Sequence, residues 1–332
     1  MRVIEARRAE LREKFDEMYA ALNPETALAT RRRKIERLGR GVRGGAVWIG
    51  QTVARTRQEQ ERTAVDVDPS SPELAAAFAR DGVACVRGVL DPAELAAAVA
   101  AIDAVLAAPG PLAQVASGLG DPGLFAEDFR RWEDVPQIEG LARHSRVPRI
   151  AAALMGTPQV RFYHDHVLVK EGGTQQRTPW HQDQPYYNVD GRGVSAWIPV
   201  DPVPAAGCLE LVAGSHRGPW LMPRTFLAGE ARWFPDGSLA ELPDIEADRD
   251  AFDIRSFSLE PGDAIFFDFL TVHGAPGFPF RGRRRVLSLR YLSADARHAP
   301  RPWRTSPPFD GLESQLPAGA ALDHPLFPVV WP

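Results

Sequence analysis

The segment Pro179-Trp180-His181-Gln182-Asp183-Gln184-Pro185 places an imidazole and a carboxylate two residues apart. In an extended strand, residues i and i+2 point to the same face, so His181 and Asp183 can present two metal-ligating groups to one point. About ninety residues on, the run Gly262-Asp263-Ala264-Ile265-Phe266-Phe267 reads as a strand that ends at His273. Two histidines and one carboxylate form the facial set that holds Fe(II) and leaves three coordination positions open. An isolated His-X-Asp is a weak motif, and a lone histidine in a β-rich chain is more often packed than ligating. The residues beyond His273 sharpen the reading. Past the turn-rich Gly274–Gly282, a strand begins Arg284-Arg285-Val286-Leu287-Ser288-Leu289-Arg290. Read as a hairpin, it brings an arginine beside the metal. A guanidinium captures carboxylates in bidentate fashion, as a chelating 2-oxo acid with a second carboxylate requires. Period-two alternation puts Arg284, Val286, Ser288 and Arg290 on one face, with Arg283 and Arg285 on the other.

The elements that position these groups read as mainly β. Glycine (28) and proline (30) are more frequent than average usage in these 332 residues, which disfavours a helical bundle and favours short strands joined by turns. From Gln159 the runs QVRFYHDHVLVK, VSAWIPVD, CLELVAGSH, AFDIRSFSL, DAIFFDFLTVH and RRVLSLRYL succeed one another between Gly/Pro/Asp turns, the pattern of a sandwich or barrel. Upstream, Ser71-Pro72-Glu73 opens a helix that stops at Gly82, and Asp91-Pro92-Ala93-Glu94 opens another to about Ala107. Residues 108–128 read as turns, and 135–155 as two short helices. There is no βαβ alternation, GxGxxG or P-loop. Residues 220–250 read as an insertion between strands of the kind that caps a site, and the tail from Pro300 is Pro-rich with apolar Leu326, Phe327, Val329, Val330 and Trp331 that predict packing.

The order of FARDGVACVRGVLDPAEL, RFYHDHVLVK, PWHQDQPYY, SAWIPVD, GCLELVAGSH, PGDAIFFDF and then His273 and Arg284 resembles the phytanoyl-CoA dioxygenase-like family of Fe(II)/2-oxoglutarate oxygenases, over about residues 74–295. The resemblance implies a double-stranded β-helix (a jelly roll) with flanking helices. It implies that His181, Asp183 and His273 bind iron and that Arg284 grips the distal carboxylate of 2-oxoglutarate. Many relatives carry a hydroxyl residue two positions after the distal histidine, where this chain has Ala275, so co-substrate contacts are expected from His164, Lys170 and Ser288. Asp183 stands where halogenating relatives have a small residue, which points to hydroxylation or a related oxidation and away from halogenation. The implied reaction couples decarboxylation of 2-oxoglutarate by O2, giving succinate and CO2, to hydroxylation of an unactivated C–H bond in a small organic substrate. Candidate substrates are a specialised metabolite or a lipid-like acyl compound. Desaturation, epoxidation and ring rearrangement use the same cofactors, and a non-catalytic metal-binding barrel is the further alternative. Tyr186, Tyr187, Trp197 and Trp220 are candidate substrate contacts. His216 reads as a turn histidine, and His144, His298 and His324 as surface groups.

Charge divides the chain. Formal net charge is −4, with the first 65 residues basic and the remainder acidic, which disfavours a nucleic-acid groove in the main domain. Residues 1–65 read as a basic helical extension, an oligomer or interaction arm, and residues 66–332 as the oxygenase domain. Two cysteines, Cys85 and Cys208, fit a reducing compartment. With no apolar stretch long enough for a membrane span, the expected location is cytoplasmic.

Overall fold

The computed structural model describes residues 64–65, 71–118, 120–222, 234–235 and 237–332; residues 1–63 of the expected basic arm lie outside them. Its strands are β1 (Ala64–Val65), β2 (Val83–Val86), β3 (Gln114–Val115), β4 (Phe125–Phe129), β5 (Val160–Glu171), β6 (Thr178–His181), β7 (Val189–Asp190), β8 (Gly193–Pro199), β9 (Glu210–Val212), β10 (Ile254–Arg255), β11 (Ala264–Asp268), β12 (His273–Ala275), β13 (Arg283–Ser293), β14 (Arg297–His298) and β15 (Val329–Trp331). The helices are α1 (Pro72–Asp81), α2 (Pro92–Ala107), α3 (Pro136–His144), α4 (Val147–Met155) and α5 (Leu312–Gln315).

A large sheet runs β1-β2-β11-β8-β13-β5-β4-β3, with β15 also on β5, and a smaller one runs β10-β9-β12-β6. Along the chain β5, β8, β11 and β13 of the large sheet are interleaved with β6, β9–β10 and β12 of the smaller one, and the architecture is the double-stranded β-helix. Alternation along the large sheet divides its residues between two cores. Ala196, Ile198, Phe266, Leu287 and Leu289 face outward into a cluster with Leu74, Phe78, Ile102, Ile138 and Ile150 of α1–α4. Trp197, Ile265, Phe267 and Val286 face inward and pack on Leu209, Leu211 and Ala275 of the smaller sheet side.

Local signals explain the helices. Asp91 Oδ1 accepts from the amides of Ala93 and Glu94 at 2.8 Å each, while Glu94 Oε2 accepts from the Asp91 amide at 2.9 Å, a reciprocal cap with Pro92 in the first turn. Helix α1 ends at Gly82, whose φ of 71° is a left-handed value that favours glycine.

Four expectations are corrected. Residues 108–128 are not all turns: β3 and β4 extend the large sheet beyond β5, because Phe125, Ala126, Glu127 and Asp128 are buried against it. The run AFDIRSFSL holds strand only at Ile254–Arg255. In the tail, Phe327 is fully buried, but Val329 and Trp331 are exposed large apolar residues on the outer strand β15. His298 is fully buried because β14 pairs with β7 and the Gly319–Ala320 turn closes over it, and neither ring nitrogen has a hydrogen-bond partner among the described residues. Residues 213–253 form the long connection between β9 and β10, which contains the 220–250 segment. No described helix is long and apolar enough to cross a membrane.

Candidate active site

His181 is the last residue of β6, and β6 pairs antiparallel with β12 so that His181 sits directly opposite His273. Their ring centroids are 4.1 Å apart. Asp183 reaches the same point by a different route from simple alternation. It lies beyond the strand end, in right-handed helical conformation (φ −74°, ψ −41°), and leads the Gln184–Tyr186 3-10 turn. The turn is held by the Phe269 carbonyl, which accepts from the amides of Asp183 (2.8 Å) and Gln184 (3.0 Å). Phe269 is itself seated against the backbone of Gly193, where an added Cβ would lie 2.1 Å from the ring. Gln182, between the two donors, ties this turn to its surroundings. Its Nε2 donates to the carbonyls of Pro219 and Leu270 at 3.2 and 2.9 Å, and its Oε1 accepts from the Leu221 amide at 2.8 Å. His273 opens β12 in the smaller sheet, past a turn after β11, and β13 belongs to the large sheet. The segment from His273 to Arg284 therefore crosses between sheets and is no hairpin.

Donor atoms of His181, Asp183 and His273 all lie within 4.8 Å of one another. Both imidazole Nε2 atoms are 3.7 Å from the same oxygen, Asp183 Oδ1. Each ring is oriented from behind: His181 Nδ1 donates to the Pro179 carbonyl at 2.8 Å, and His273 Nδ1 to the Thr271 carbonyl at 2.9 Å. A carbonyl only accepts, so both Nε2 atoms are left with lone pairs aimed at the shared centre. Burial, then the neighbouring His181 ring, lowers His273 to about 3, which keeps it a neutral donor. Burial would raise the Asp183 carboxyl, but Arg290, His273, His181 and the Ser195 hydroxyl together hold it well below the usual carboxylate range. Ser195 Oγ donates to Asp183 Oδ2 at 2.7 Å.

Arg284 projects inward on β13. It is 2% exposed, has no carboxylate partner among the described residues, and leaves Nε without a hydrogen-bond acceptor. Its Nη1 donates to the Gly207 carbonyl, and its guanidinium lies 5.5 Å from the Trp197 ring centroid and 5.9 Å from that of Phe278. Burial lowers it to about 10, so it remains charged at neutral pH. A buried, unneutralised cation is costly unless an anion arrives. Two further interior atoms are unpartnered: Ser288 Oγ and His164 Nε2. Two imidazoles and a carboxylate at one point, with a guanidinium that has no carboxylate partner among the described residues and further polar atoms on the facing sheet, fit a metal together with a polar, dianionic chelator.

The other expected residues surround this centre in different roles. Lys170 is opposite Arg284 on β5; its Nζ donates to the carbonyls of Gln176 and Pro276 at 2.9 Å each, bracing the two loops beside Arg284. Burial and then Arg284 lower its pKa well below the ordinary lysine value. Tyr187 is 3% exposed, packs on Tyr163 and Phe269, and accepts from Arg290 Nε at 3.0 Å, so its contacts are with the protein core. Tyr186 stands 5.9 Å from the His181 ring and 6.0 Å from Phe234, which meets Trp303 at 5.1 Å. Trp220 stacks under Arg301 at 4.8 Å. His216 sits in a 3-10 turn as expected.

Glu127 and His166, absent from the sequence reading, line the same interior. Arg290 Nη2 donates to His166 Nδ1 at 3.3 Å, so His166 Nε2 carries the proton it shares with Glu127 Oε2 at 3.1 Å; Gln114 Nε2 donates to Glu127 Oε1 at 2.7 Å. Burial raises the Glu127 carboxyl to about 7. Between its unfolded value near 4.5 and about 7, the folded chain holds the proton that the unfolded chain has lost. Stability is thus drained as pH rises through this window. Glu127→Gln is expected to raise Tm at pH ~8 while leaving it near wild type at pH ~5; equal shifts at both values would contradict this assignment.

A jelly roll with this donor set is the arrangement of the non-haem iron, 2-oxoglutarate-dependent oxygenases. Within that class, the profile of the phytanoyl-CoA dioxygenase (PhyH) family matches residues 78–285, and the chain belongs to this family. Rat peroxisomal phytanoyl-CoA dioxygenase is 27% identical over 175 residues, 50% of each chain, so the chain aligns with about half the length of such curated relatives. Among solved structures, the non-haem alpha-ketoglutarate (2-oxoglutarate) dependent carbocyclase SnoK of nogalamycin biosynthesis is 25% identical, with a TM-score of 0.62, covering 78% of this chain and 96% of that one. The epimerase SnoN, solved with Fe3+, alpha-ketoglutarate and nogalamycin RO, is 25% identical, with a TM-score of 0.61, covering 79% and 100%.

Proposed function

We propose that this protein is an Fe(II)- and 2-oxoglutarate-dependent dioxygenase that hydroxylates a small organic substrate, with His181, Asp183 and His273 holding the iron and Arg284 the distal carboxylate of the co-substrate. The observation that carries the reading is the pairing of a convergent donor set with a buried guanidinium that has no carboxylate partner among the described residues. When bound, ferrous iron and 2-oxoglutarate supply the oxidative chemistry: R–H, 2-oxoglutarate and O2 become R–OH, succinate and CO2.

The chain's own residues do the rest. Pro179 and Thr271 carbonyls fix the imidazole tautomers, and Ser195 turns one carboxylate oxygen away from the metal point. Arg284, Ser288 and His164 offer donors and acceptors to the dianion, Lys170 braces the adjoining loops, and Trp197 walls the guanidinium. Tyr186, beside His181, is positioned to border the substrate. The shell of Trp197, Phe267 and Val286 excludes water from one side of the centre.

A second reading draws on SnoK and SnoN, matched over nearly their full lengths as a carbocyclase and an epimerase: the same oxidation ends in ring closure, two substrate hydrogens leaving as water, or, with an added two-electron reductant that returns hydrogen to the carbon, in epimerisation. A screen of specialised metabolites and acyl compounds, reading succinate and product mass together, tests both. One added oxygen atom per succinate supports hydroxylation; loss of two hydrogens supports ring closure, and a product of unchanged mass but inverted stereochemistry, formed with added reductant, supports epimerisation. Saturable Fe(II) and 2-oxoglutarate binding without succinate from any compound class would contradict both and indicate a binding protein.

A further inference from the structure

Arg290 is a buried cation that the ligand set does not use. Its guanidinium is fixed on three sides: Nε donates to Tyr187 Oη at 3.0 Å, Nη1 to the Ser288 carbonyl at 3.1 Å, and Nη2 to His166 Nδ1 at 3.3 Å. His166 is in turn held by Glu127, and Glu127 by Gln114. The remaining direction leads to the carboxylate, where Arg290 Nη2 stands 3.9 Å from Asp183 Oδ2. That oxygen also accepts from Ser195, whereas Oδ1 is the one equidistant from both imidazoles. The two carboxylate oxygens are thus sorted, one toward the metal point and one toward a fixed cation and a hydroxyl.

Resting on the ligand set proposed above, we infer that Arg290 is a positioning residue that keeps Asp183 bound through a single oxygen and so reserves a coordination position for the 2-oxo acid. A carboxylate free to rotate would offer both oxygens to the metal and occupy a position that the chelator needs. The fixed cation also draws the dianion toward the centre, while its repulsion of the metal offsets what it gains by orienting Asp183. Removing it therefore weakens 2-oxoglutarate more than Fe(II). The role reaches back through His166 and Glu127 to β4, and through Gln114 to the edge strand β3.

The test is anaerobic titration of the full chain with Fe(II) and then 2-oxoglutarate, following the visible charge-transfer band of the ferrous 2-oxo-acid chelate, in wild type, Arg290→Gln and Arg290→Lys. Arg290→Gln is expected to retain one Fe(II) per chain, to lose about 10- to 100-fold in 2-oxoglutarate affinity, the size of an outer-shell loss, and to shift the band. Arg290→Lys restores the charge without the fork and is expected to recover part of the affinity. A wild-type band with both variants indistinguishable from it in affinity and band position would overturn this inference alone. Absence of any wild-type band would overturn the ligand set and this inference with it. If Arg290→Gln fails to fold, Arg290→Lys decides: a shifted band and weakened chelation support the inference, and an unchanged pair overturns it.

Discussion

His181→Ala, Asp183→Ala and His273→Ala are each expected to abolish Fe(II)-dependent release of succinate from 2-oxoglutarate, a loss well beyond the about 10- to 100-fold that removing an outer-shell partner costs. The three differ in what they do to the fold. His181 is partly exposed, at the end of a short strand; His181→Ala should leave Tm close to wild type. Asp183 is the one carboxylate in ion-pair range of Arg290 among the described residues. Asp183→Ala strands that buried cation and is expected to cost about 3–5 kcal/mol, read as a fall in Tm or in denaturant midpoint. Asp183→Asn keeps the shape and the Ser195 contact, and should lose iron while losing less stability. Full succinate release by any of the alanine variants, assayed with the same iron and co-substrate, would remove that residue from the ligand set.

Arg284→Met is expected to act in opposite directions on binding and on stability. It removes a charge-assisted anchor worth about 2–3 kcal/mol, so the 2-oxoglutarate concentration for half-maximal succinate release should rise about 30- to 150-fold. In the absence of 2-oxoglutarate, the same change replaces an unneutralised buried cation, set among Trp197, Phe278 and the Gly207 carbonyl, with an apolar side chain of similar length. The unliganded protein should therefore melt higher than wild type. In wild type, 2-oxoglutarate added with a redox-inert divalent metal should raise Tm by mass action, and in Arg284→Met that increment should shrink or vanish. A variant with unchanged co-substrate requirement and a lower unliganded Tm would show that Arg284 is a packing residue and that a different cation receives the dianion.

Much of this site was legible in the residues alone. His181 and Asp183 stand at a spacing that brings two potential metal donors together. Arg284 could be separated from Arg283 and Arg285 by alternation, and the structure puts Arg285 on the other face with Asp201 and Asp103. Alternation was nevertheless the wrong reason for Asp183, whose side chain arrives through a 3-10 turn pinned on the Phe269 carbonyl. Two backbone routes bring the same residue to the same point, and a two-residue spacing does not distinguish them. The hairpin reading of 273–284 failed for a related reason: turn residues mark where a strand ends, not which sheet the next strand joins. Arg290 was visible on the inward face of β13, but its partners were not. His166 lies on β5 and Glu127 on β4, and their proximity depends on strand order, which no local pattern carries. Glu127 was hidden further because FAEDF is too polar to read as a buried strand; its carboxyl is tolerated inside only because Gln114 and His166 meet it. His298 shows the same limit in the tail, where a short turn at 319–320 buries a ring that its Pro-rich neighbourhood marks as exposed.

The central claim is that one ferrous ion sits where the His181, Asp183 and His273 donors converge, with the distal carboxylate of 2-oxoglutarate on Arg284. Anomalous diffraction at the iron edge, from crystals loaded anaerobically with Fe(II) and 2-oxoglutarate, tests it most directly. The account predicts one strong peak bonded to both Nε2 atoms and to Asp183 Oδ1, and a 2-oxo acid reaching from that peak to the Arg284 guanidinium. A peak on other side chains, or a 2-oxo acid whose far carboxylate turns away from Arg284, would contradict it.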